Sequence, residues 1–192
     1  MREFIYFSGK ARTSGNFGDD LMKAGRMDIA INVIIQGLFL SHKLREDVHL
    51  HLIFNGPPNP PMHLEFISNP DMPISKKDVA GLIKRMLYKC REGQRTEIFP
   101  GCFVEKKSFQ VLIKELEAEG KKICILDKKG ESIREMENSE LNKCVFVVGD
   151  HEGLPKKEMK RFNKRISVGN RIYFASQVLV IINNEMDLRE EN

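Results

Sequence analysis

Apolar positions along this chain fall into two kinds of stretch: continuous runs of strand length, and longer segments in which apolar residues return every three or four positions. The first run, Glu3 to Ser8 (EFIYFS), predicts a strand, and the glycine-rich polar loop GKARTSGNFGDD follows it. A long helix is predicted from Met27 to about Lys43. Ile29, Val33, Ile34, Gly37, Leu38 and Phe39 recur at helical spacing there, and Ile35 and Leu40 widen the apolar face until little polar surface remains. Such a helix is covered on more than one side, by the sheet or by a partner subunit. DVHLHLIFN is a second strand. GPPNPP, Gly56 to Pro61, cannot be regular structure, because its four prolines remove backbone donors and fix φ; MHLEFIS then resumes an extended pattern. SKKDVAGLIKRMLYKCR reads as a helix whose Ser75 and Asp78 have capping-box spacing.

After Gly93 the segment EIFPGCFVEKKS reads as an irregular link around Pro100 and Gly101. The second half repeats strand and helix in close order. SFQVLIKELEAEG is a helix ending at Gly120, KKICILD a buried strand, ESIREMENSEL a short helical or irregular return, and KCVFVVGD a second buried strand. PKKEMKRFN is a short helix, KRISVG a short strand, and NRIYFASQVLVIINNEM a terminal helix. Continuous apolar strands alternating with helices imply an α/β fold, a parallel sheet with helices on both faces. With no repeat, linker or low-complexity tract, residues 1–192 are read as a single domain.

Composition agrees: 41% hydrophobic and 30% charged residues describe a soluble globular chain, not a disordered one. MREFIYFSGK is too short in its apolar run for a signal peptide, and no segment approaches the roughly 18 apolar residues of a membrane span; a cytoplasmic protein with no membrane partner is expected. Cys90, Cys102, Cys124 and Cys144 lie far apart without a CxxC pair and read as reduced core residues. The net charge of +4 says little, but KKEMKRFNKR, Lys156 to Arg165, sets six basic residues against one acidic. That run can face phosphates, and from charge alone a solvated helix face is the stronger reading. His49 and His51 alternate on one strand face, yet the sequence offers no evident third ligand, so no metal is expected.

The most informative stretch is VFVVGDHEGLP, where a buried strand runs into Gly149, Asp150, His151, Glu152 and Gly153. In an open parallel sheet, ligands bind beyond the carboxyl ends of the strands. Three such ends recur here, at Leu126–Asp127, Gly149–Gly153 and Ser167–Asn170. No GxxxxGKS or GxGxxG phosphate cradle is present, and acidic Asp150 and Glu152 suit a cation or a ribose rather than phosphate. S-adenosylmethionine offers a sulfonium, a ribose and an adenine to lie against Leu126, Ile166, Val168 and Ile172. A plain turn with glycines fitted to positive φ is the competing reading.

VFVVGDHEGLP followed by ISVGNRIYFASQVLVI resembles the paired carboxyl-terminal signatures of the SPOUT methyltransferases. FIYFSGKARTSGNF, AGRMDIAINVIIQGLFLSHKLREDVHLHLIFNGPPNPP and the late NNEMD are similar to the archaeal TrmY group. The resemblance implies a trefoil-knotted α/β fold with the knot roughly in residues 121–185. It further implies S-adenosylmethionine bound in the knot by Leu126, Gly149, Asp150, His151, Gly153, Ile166, Val168, Gly169, Ile172 and Ala175. The activity it implies is methylation of N1 of a pseudouridine in the T-loop of tRNA, by a homodimer. Val168, Asn170, Gln177 and Val178 depart from the group's pattern, and Asn183–Asn184 stand where it has His-Asn.

Pseudouridine is joined to ribose through carbon, so N1 keeps a proton that it must lose to attack a methyl group, and a carboxylate can orient or remove that proton. Asp28, in the group's recurring GR-x-D, is assigned as orienting group or base, and Arg26 as anchor for the uracil ring or a phosphate. A helix-start carboxylate beside a solvated arginine explains the same residues. Lys10, Arg12 and Lys23, with Lys156, Lys157, Lys160 and Arg161, are candidate contacts to tRNA phosphates. The other readings are a SPOUT enzyme acting on a ribosomal pseudouridine, a non-catalytic RNA-binding protein, and a cofactor-independent α/β binding protein.

Overall fold

In the computed structural model, which describes residues 1–190, the apolar runs become strands β1 (Arg2–Ser8), β2 (Val48–Phe54), β3 (Met62–Ile67), β4 (Thr96–Phe99), β5 (Cys102–Glu105), β6 (Lys122–Ser132), β7 (Cys144–Gly149) and β8 (Arg165–Ser167). The helices are α1 (Met27–Leu38), α2 (Val79–Lys89), α3 (Phe109–Ala118), the single turns α4 (Asn138–Leu141) and α5 (Lys156–Met159), and α6 (Ala175–Glu190). One sheet orders the strands β4-β5-β3-β2-β1-β7-β6-β8. From β2 to β8 every neighbour is parallel, as the continuous apolar runs imply. On the other side β2, β3, β5 and β4 pair antiparallel.

All seven residues of β1 are buried, and alternation divides them between two layers. Phe4 and Tyr6 join the core formed with α1, α2 and α6, whereas Ile5 and Phe7 pack with Leu112, Ile113 and Leu116 of α3. Each such apolar side chain contributes about 1.5–3 kcal/mol on burial. Among the described residues, no helix is long and apolar enough to cross a membrane. Cys102, Cys124 and Cys144 are buried, Cys90 is half-buried, and all are free thiols.

Four local expectations are corrected. The first helix stops at Leu38, because Phe39 turns extended and Leu40 closes a tight turn onto the Lys43 carbonyl (2.8 Å). The Ser75–Asp78 capping box does not form: Asp78 caps α2 by position without a side-chain bond and instead accepts from Arg85 Nη2 at 3.0 Å. The link around Pro100–Gly101 is a hairpin joining β4 and β5, with Gly101 at φ 74°. The terminal helix begins at Ala175 rather than Asn170, so Ile172, Tyr173 and Phe174 lie in a loop. The Phe174 amide donates to Gln177 Oε1 at 3.0 Å, which fastens that loop to the first turn of α6.

Candidate active site

β1 runs through α1 to β2 on one side and is flanked by β7 on the other. The carboxyl ends of β1 and β7 therefore meet at the point where strand order reverses, the place where open α/β sheets bind ligands. The Asp150 amide donates to the Phe7 carbonyl at 2.9 Å. The Asp150 carboxylate, 2% exposed, accepts from Ser8 Oγ (2.8 Å) and the Gly9 amide (3.1 Å) on one oxygen, and from the Glu152 amide (2.9 Å) on the other. Ser8 Oγ in turn accepts from the Ala11 amide at 3.0 Å. Glu152 pairs with Lys10, and each draws the other further toward its charged form. The acidic character of this turn is thus largely consumed in tying β7 to the loop after β1.

Gly149 is required by close approach: a Cβ there would lie 2.4 Å from the Gly153 carbonyl carbon and 2.7 Å from its Cα. The exposed Gly153 takes φ 75° and bridges back to Asp150. His151 is exposed beside Asp150. What remains available in the turn is backbone.

Beside it, Leu126, Ile166, Val168, Gly169, Tyr173 and Val178 line a pocket of about 80 Å³. Asp127, Lys128 and Arg171 edge it, and Asp127 binds Arg165 at 2.6 Å. Ser167 Oγ accepts from the Gly169 amide (3.1 Å) and donates to the Gly169 carbonyl (2.8 Å), which fixes the loop leaving β8. Of the expected cofactor residues, Leu126, Ile166, Val168 and Gly169 gather here, and Ala175 is half-buried at the start of α6. Ile172 is 85% exposed and is not part of this wall.

Arg26 and Asp28 open α1 at the same end of the sheet. Gly25 and Arg26 both take left-handed backbone, φ 71° and 62°, and a Cβ on Gly25 would fall 1.7 Å from the Lys10 carbonyl oxygen. A non-glycine residue held in this conformation costs on the order of 1–3 kcal/mol, which the surrounding structure must offset. The conformation lets Arg26 reach forward as a fork: Nε donates to Asp28 Oδ1 at 3.0 Å and Nη2 to Oδ2 at 2.9 Å. That fork holds the Asp28 carboxyl below the usual carboxylate range. Asp28 is therefore ionised at neutral pH and suited to orient rather than to take up a proton. Tyr6, fully buried, connects the two parts of the site: burial, then the charge of Asp150 and more weakly that of Asp28, raises its phenol above the ordinary range. Arg26 also feels Asp150.

The basic candidates divide. Lys10 is engaged by Glu152, and Lys23 is an exposed partner of Asp20 at 3.0 Å. Arg12 is half-buried, and its Nε has no hydrogen-bond partner among the described residues. Lys156, Lys157, Lys160 and Arg161 are exposed around α5. Asn183 is 1% exposed and structural: its Nδ2 donates to the Gly37 carbonyl (3.3 Å), and its own carbonyl accepts from Arg2 Nη1 (3.0 Å). Sequence reasoning missed Ser8, Tyr6 and Arg171. Ser8 alone left a signal, a hydroxyl followed by glycine at the end of a buried strand.

Residues 1–191 match the family model described as SAM-dependent RNA methyltransferase. The tRNA (pseudouridine(54)-N(1))-methyltransferase of Methanococcoides burtonii is 36% identical over 97% of this chain and 96% of its own length. Its counterpart in Methanocaldococcus jannaschii is 32% identical over 97% of each chain. The structure of Archaeoglobus fulgidus Nep1 bound to S-adenosylhomocysteine shares the fold, with a TM-score of 0.66 at 14% identity, covering 100% of this chain and 99% of that one. A glycine turn at the strand-order reversal, an apolar slot beside it and a full-length match agree: this chain belongs to the family of SAM-dependent RNA methyltransferases.

Proposed function

We propose that this chain methylates N1 of pseudouridine 54 in tRNA, with the cofactor held by the Gly149–Gly153 turn and the Leu126–Ile166–Val168 slot. The observation that carries this reading is that the loop after β1 meets both the Asp150 turn, through Ser8 and Gly9, and the Gly25–Arg26 entry to the Asp28 fork, through Lys10 and Arg12, in a chain similar over its whole length to enzymes of that name. Ligand pockets run to about 300–1,000 Å³, so the slot takes one flat end of the cofactor and the rest lies across the backbone of the turn. When bound, S-adenosylmethionine supplies an electrophilic methyl on a sulfonium. Asp28 accepts the N1–H of the target base and orients it, while Arg26 fixes Asp28 and faces the uracil ring or a neighbouring phosphate. Because Asp28 is held acidic, the N1 proton passes on to water. Lys156, Lys157, Lys160 and Arg161, with Arg12, hold tRNA phosphates.

The knot is assigned to residues 121–185, where Leu126 and Glu131 of β6 both register against Ile166 of β8. The active form is a homodimer: Ile172 and Phe174, 85% and 74% exposed, and Val180 on α6 offer an apolar surface next to the slot. The test is incubation with S-adenosylmethionine and tRNA transcripts that carry or lack pseudouridine 54, with ribosomal RNA fragments alongside, followed by mass spectrometry of the nucleosides. Methyl on N1 of pseudouridine in the modified tRNA alone supports the reading; methyl on the ribosomal fragment, or on none, refutes it.

A further inference from the structure

The other end of β1 holds a second cluster with no part in methyl transfer. Glu3 lies five residues before Ser8, so roughly 17 Å of extended chain separates it from the active site. In the parallel register Glu3 stands opposite His49, and across the antiparallel pairs His51 stands opposite Glu65 and His63 opposite Glu105. All six side chains emerge on the face packed by α3. Glu3, His51 and His63 are no more than 3% exposed, Glu65 6%, and only His49 and Glu105 reach the rim. Leu112, Leu116, Glu115 and Lys121 help to enclose a cavity of about 310 Å³ over them.

Hydrogen bonding in this cluster is short of protons. His49 faces a carboxylate on both nitrogens: Nε2 lies 2.7 Å from Glu65 Oε1, and Nδ1 lies 3.3 Å from Glu3 Oε1. His51 Nε2 lies 3.1 Å from that same Glu3 oxygen, and His51 Nδ1 lies 2.9 Å from His63 Nε2. His63 Nδ1 is 3.0 Å from Glu105 Oε1. Four of these contacts are hydrogen bonds, His49–Glu65, His51–Glu3, His51–His63 and His63–Glu105, and each needs one proton, whereas three neutral imidazoles carry three; the fifth, His49 Nδ1 to Glu3, sets a second ring nitrogen against the same carboxylate oxygen without a hydrogen bond. The remaining oxygens cannot help, because Lys121 holds Glu3 Oε2 (2.6 Å), Arg95 holds Glu65 Oε2 (2.7 Å), and Lys107 shares Glu105 Oε1 (2.8 Å).

We propose that Glu3, His49 and His51 bind a divalent transition metal of the zinc class. A cation bound by Glu3 Oε1, His49 Nδ1 and His51 Nε2 replaces the two contacts to Glu3, one a hydrogen bond and one a close approach, and supplies positive charge where the proton is missing. Three contacts and three protons remain: His49 Nε2–H to Glu65, His51 Nδ1–H to His63, and His63 Nδ1–H to Glu105. Every ring is then neutral in one tautomer, with a carboxylate or imidazole behind each histidine ligand, the outer support that metal-bound histidines ordinarily have.

The spacing fits as well. Zn–N and Zn–O bonds of about 2.0–2.2 Å at tetrahedral angles place ligand atoms about 3.3–3.6 Å apart, a few tenths of an ångström beyond the present contacts to Glu3. The two Glu3 distances are 3.3 and 3.1 Å, and the three ligand atoms lie within 4.8 Å of one another. The fourth position opens to the cavity and takes water. Two imidazoles, with each carboxylate already matched by a basic residue, select zinc-class ions over Mg²⁺ or Ca²⁺, which need oxygen-rich sets. The ion pins β1 to β2 and, through the outer residues, to β3 and β5.

The test starts from protein stripped by chelator and checked as folded by circular dichroism, then titrated with Zn²⁺ by calorimetry and with Co²⁺ by visible absorption. One equivalent per chain is expected, with tetrahedral cobalt bands and no sulfur-to-cobalt charge transfer. A Zn²⁺ excess of about a hundredfold over Kd raises Tm by roughly 5–10 °C; Mg²⁺ and Ca²⁺ leave it unchanged. His49→Gln, at the rim, weakens binding at least about 100-fold, and Glu65→Gln weakens it about 10- to 100-fold. No uptake by the folded wild type overturns the proposal. So do a thiolate charge-transfer band and binding unchanged in folded His49→Gln. The wild-type cobalt spectrum decides even where a variant fails to fold.

Discussion

The two ends of β1 solve opposite problems with the same kinds of residue. At Ser8 the carboxylates of Asp150 and Asp28 are each met by donors of the chain itself, backbone amides, Ser8 and the Arg26 fork, and the surface left over is backbone and a shallow apolar slot. At Glu3 the acidic and imidazole groups lie packed against one another and have more hydrogen-bonded contacts than protons. The first arrangement gives each carboxylate its donors, leaves only the Tyr6 hydroxyl and Arg12 Nε of its named buried atoms without a hydrogen-bond partner among the described residues, and has room for a ligand to be recognised by shape. The second is complete only with added positive charge. Burial of polar groups thus points to a site where the hydrogen-bond count does not close, and to scaffolding where it does.

The contrast can be broken at several places. Asp28→Ala is expected to lower kcat about 10²- to 10³-fold while the affinity for S-adenosylmethionine stays within about twofold; steady-state kinetics with modified tRNA and calorimetry with the cofactor check both halves. At the other end, Arg2 is 2% exposed and bound by Asp47 (2.8 Å), Asp187 (2.6 Å) and Glu190 (3.0 Å). Arg2→Met should cost about 1–2 kcal/mol in urea unfolding, because its acidic partners are a third or more exposed and Asp187 keeps Arg45, and leave the cofactor affinity alone. Replacing Lys156 and Lys157 with Glu should raise KM for tRNA about tenfold and flatten its salt dependence, without changing cofactor binding.

The smallest effect concerns pH. Arg26 lowers the Asp28 pKa below its ordinary 3.8. A depressed carboxyl contributes stability above its unfolded pKa and loses it only as pH falls through the folded value. Asp28 should therefore add no acidic limb to kcat between about pH 5 and 7. A limb there that vanishes in Asp28→Asn would make Asp28 the proton acceptor instead of the orienting group.

The parallel half of the sheet and its glycine turn were legible because buried parallel strands read as unbroken apolar runs, as in Val145–Val148. The antiparallel edge was not. Thr96–Phe99 and Cys102–Glu105 are four residues each, half-buried in part, and joined by a Pro-Gly turn that also reads as a loop. In the candidate site the glycines were legible as glycines, but the fate of Asp150 was not, since its donors Ser8 and Gly9 are some 140 residues away in sequence. The His–Glu cluster was half visible. His49 and His51 declare a shared face by their spacing, and the third ligand, Glu3, joins them only through the β1–β2 register.

Calorimetric titration of the wild-type chain and of Gly149→Val with S-adenosylmethionine tests most directly whether the Gly149 turn holds the cofactor. Saturable binding near one per chain in the wild type, weakened at least about 100-fold in a folded Gly149→Val, is expected. Absence of binding by the wild type, or equal binding by both, would contradict it.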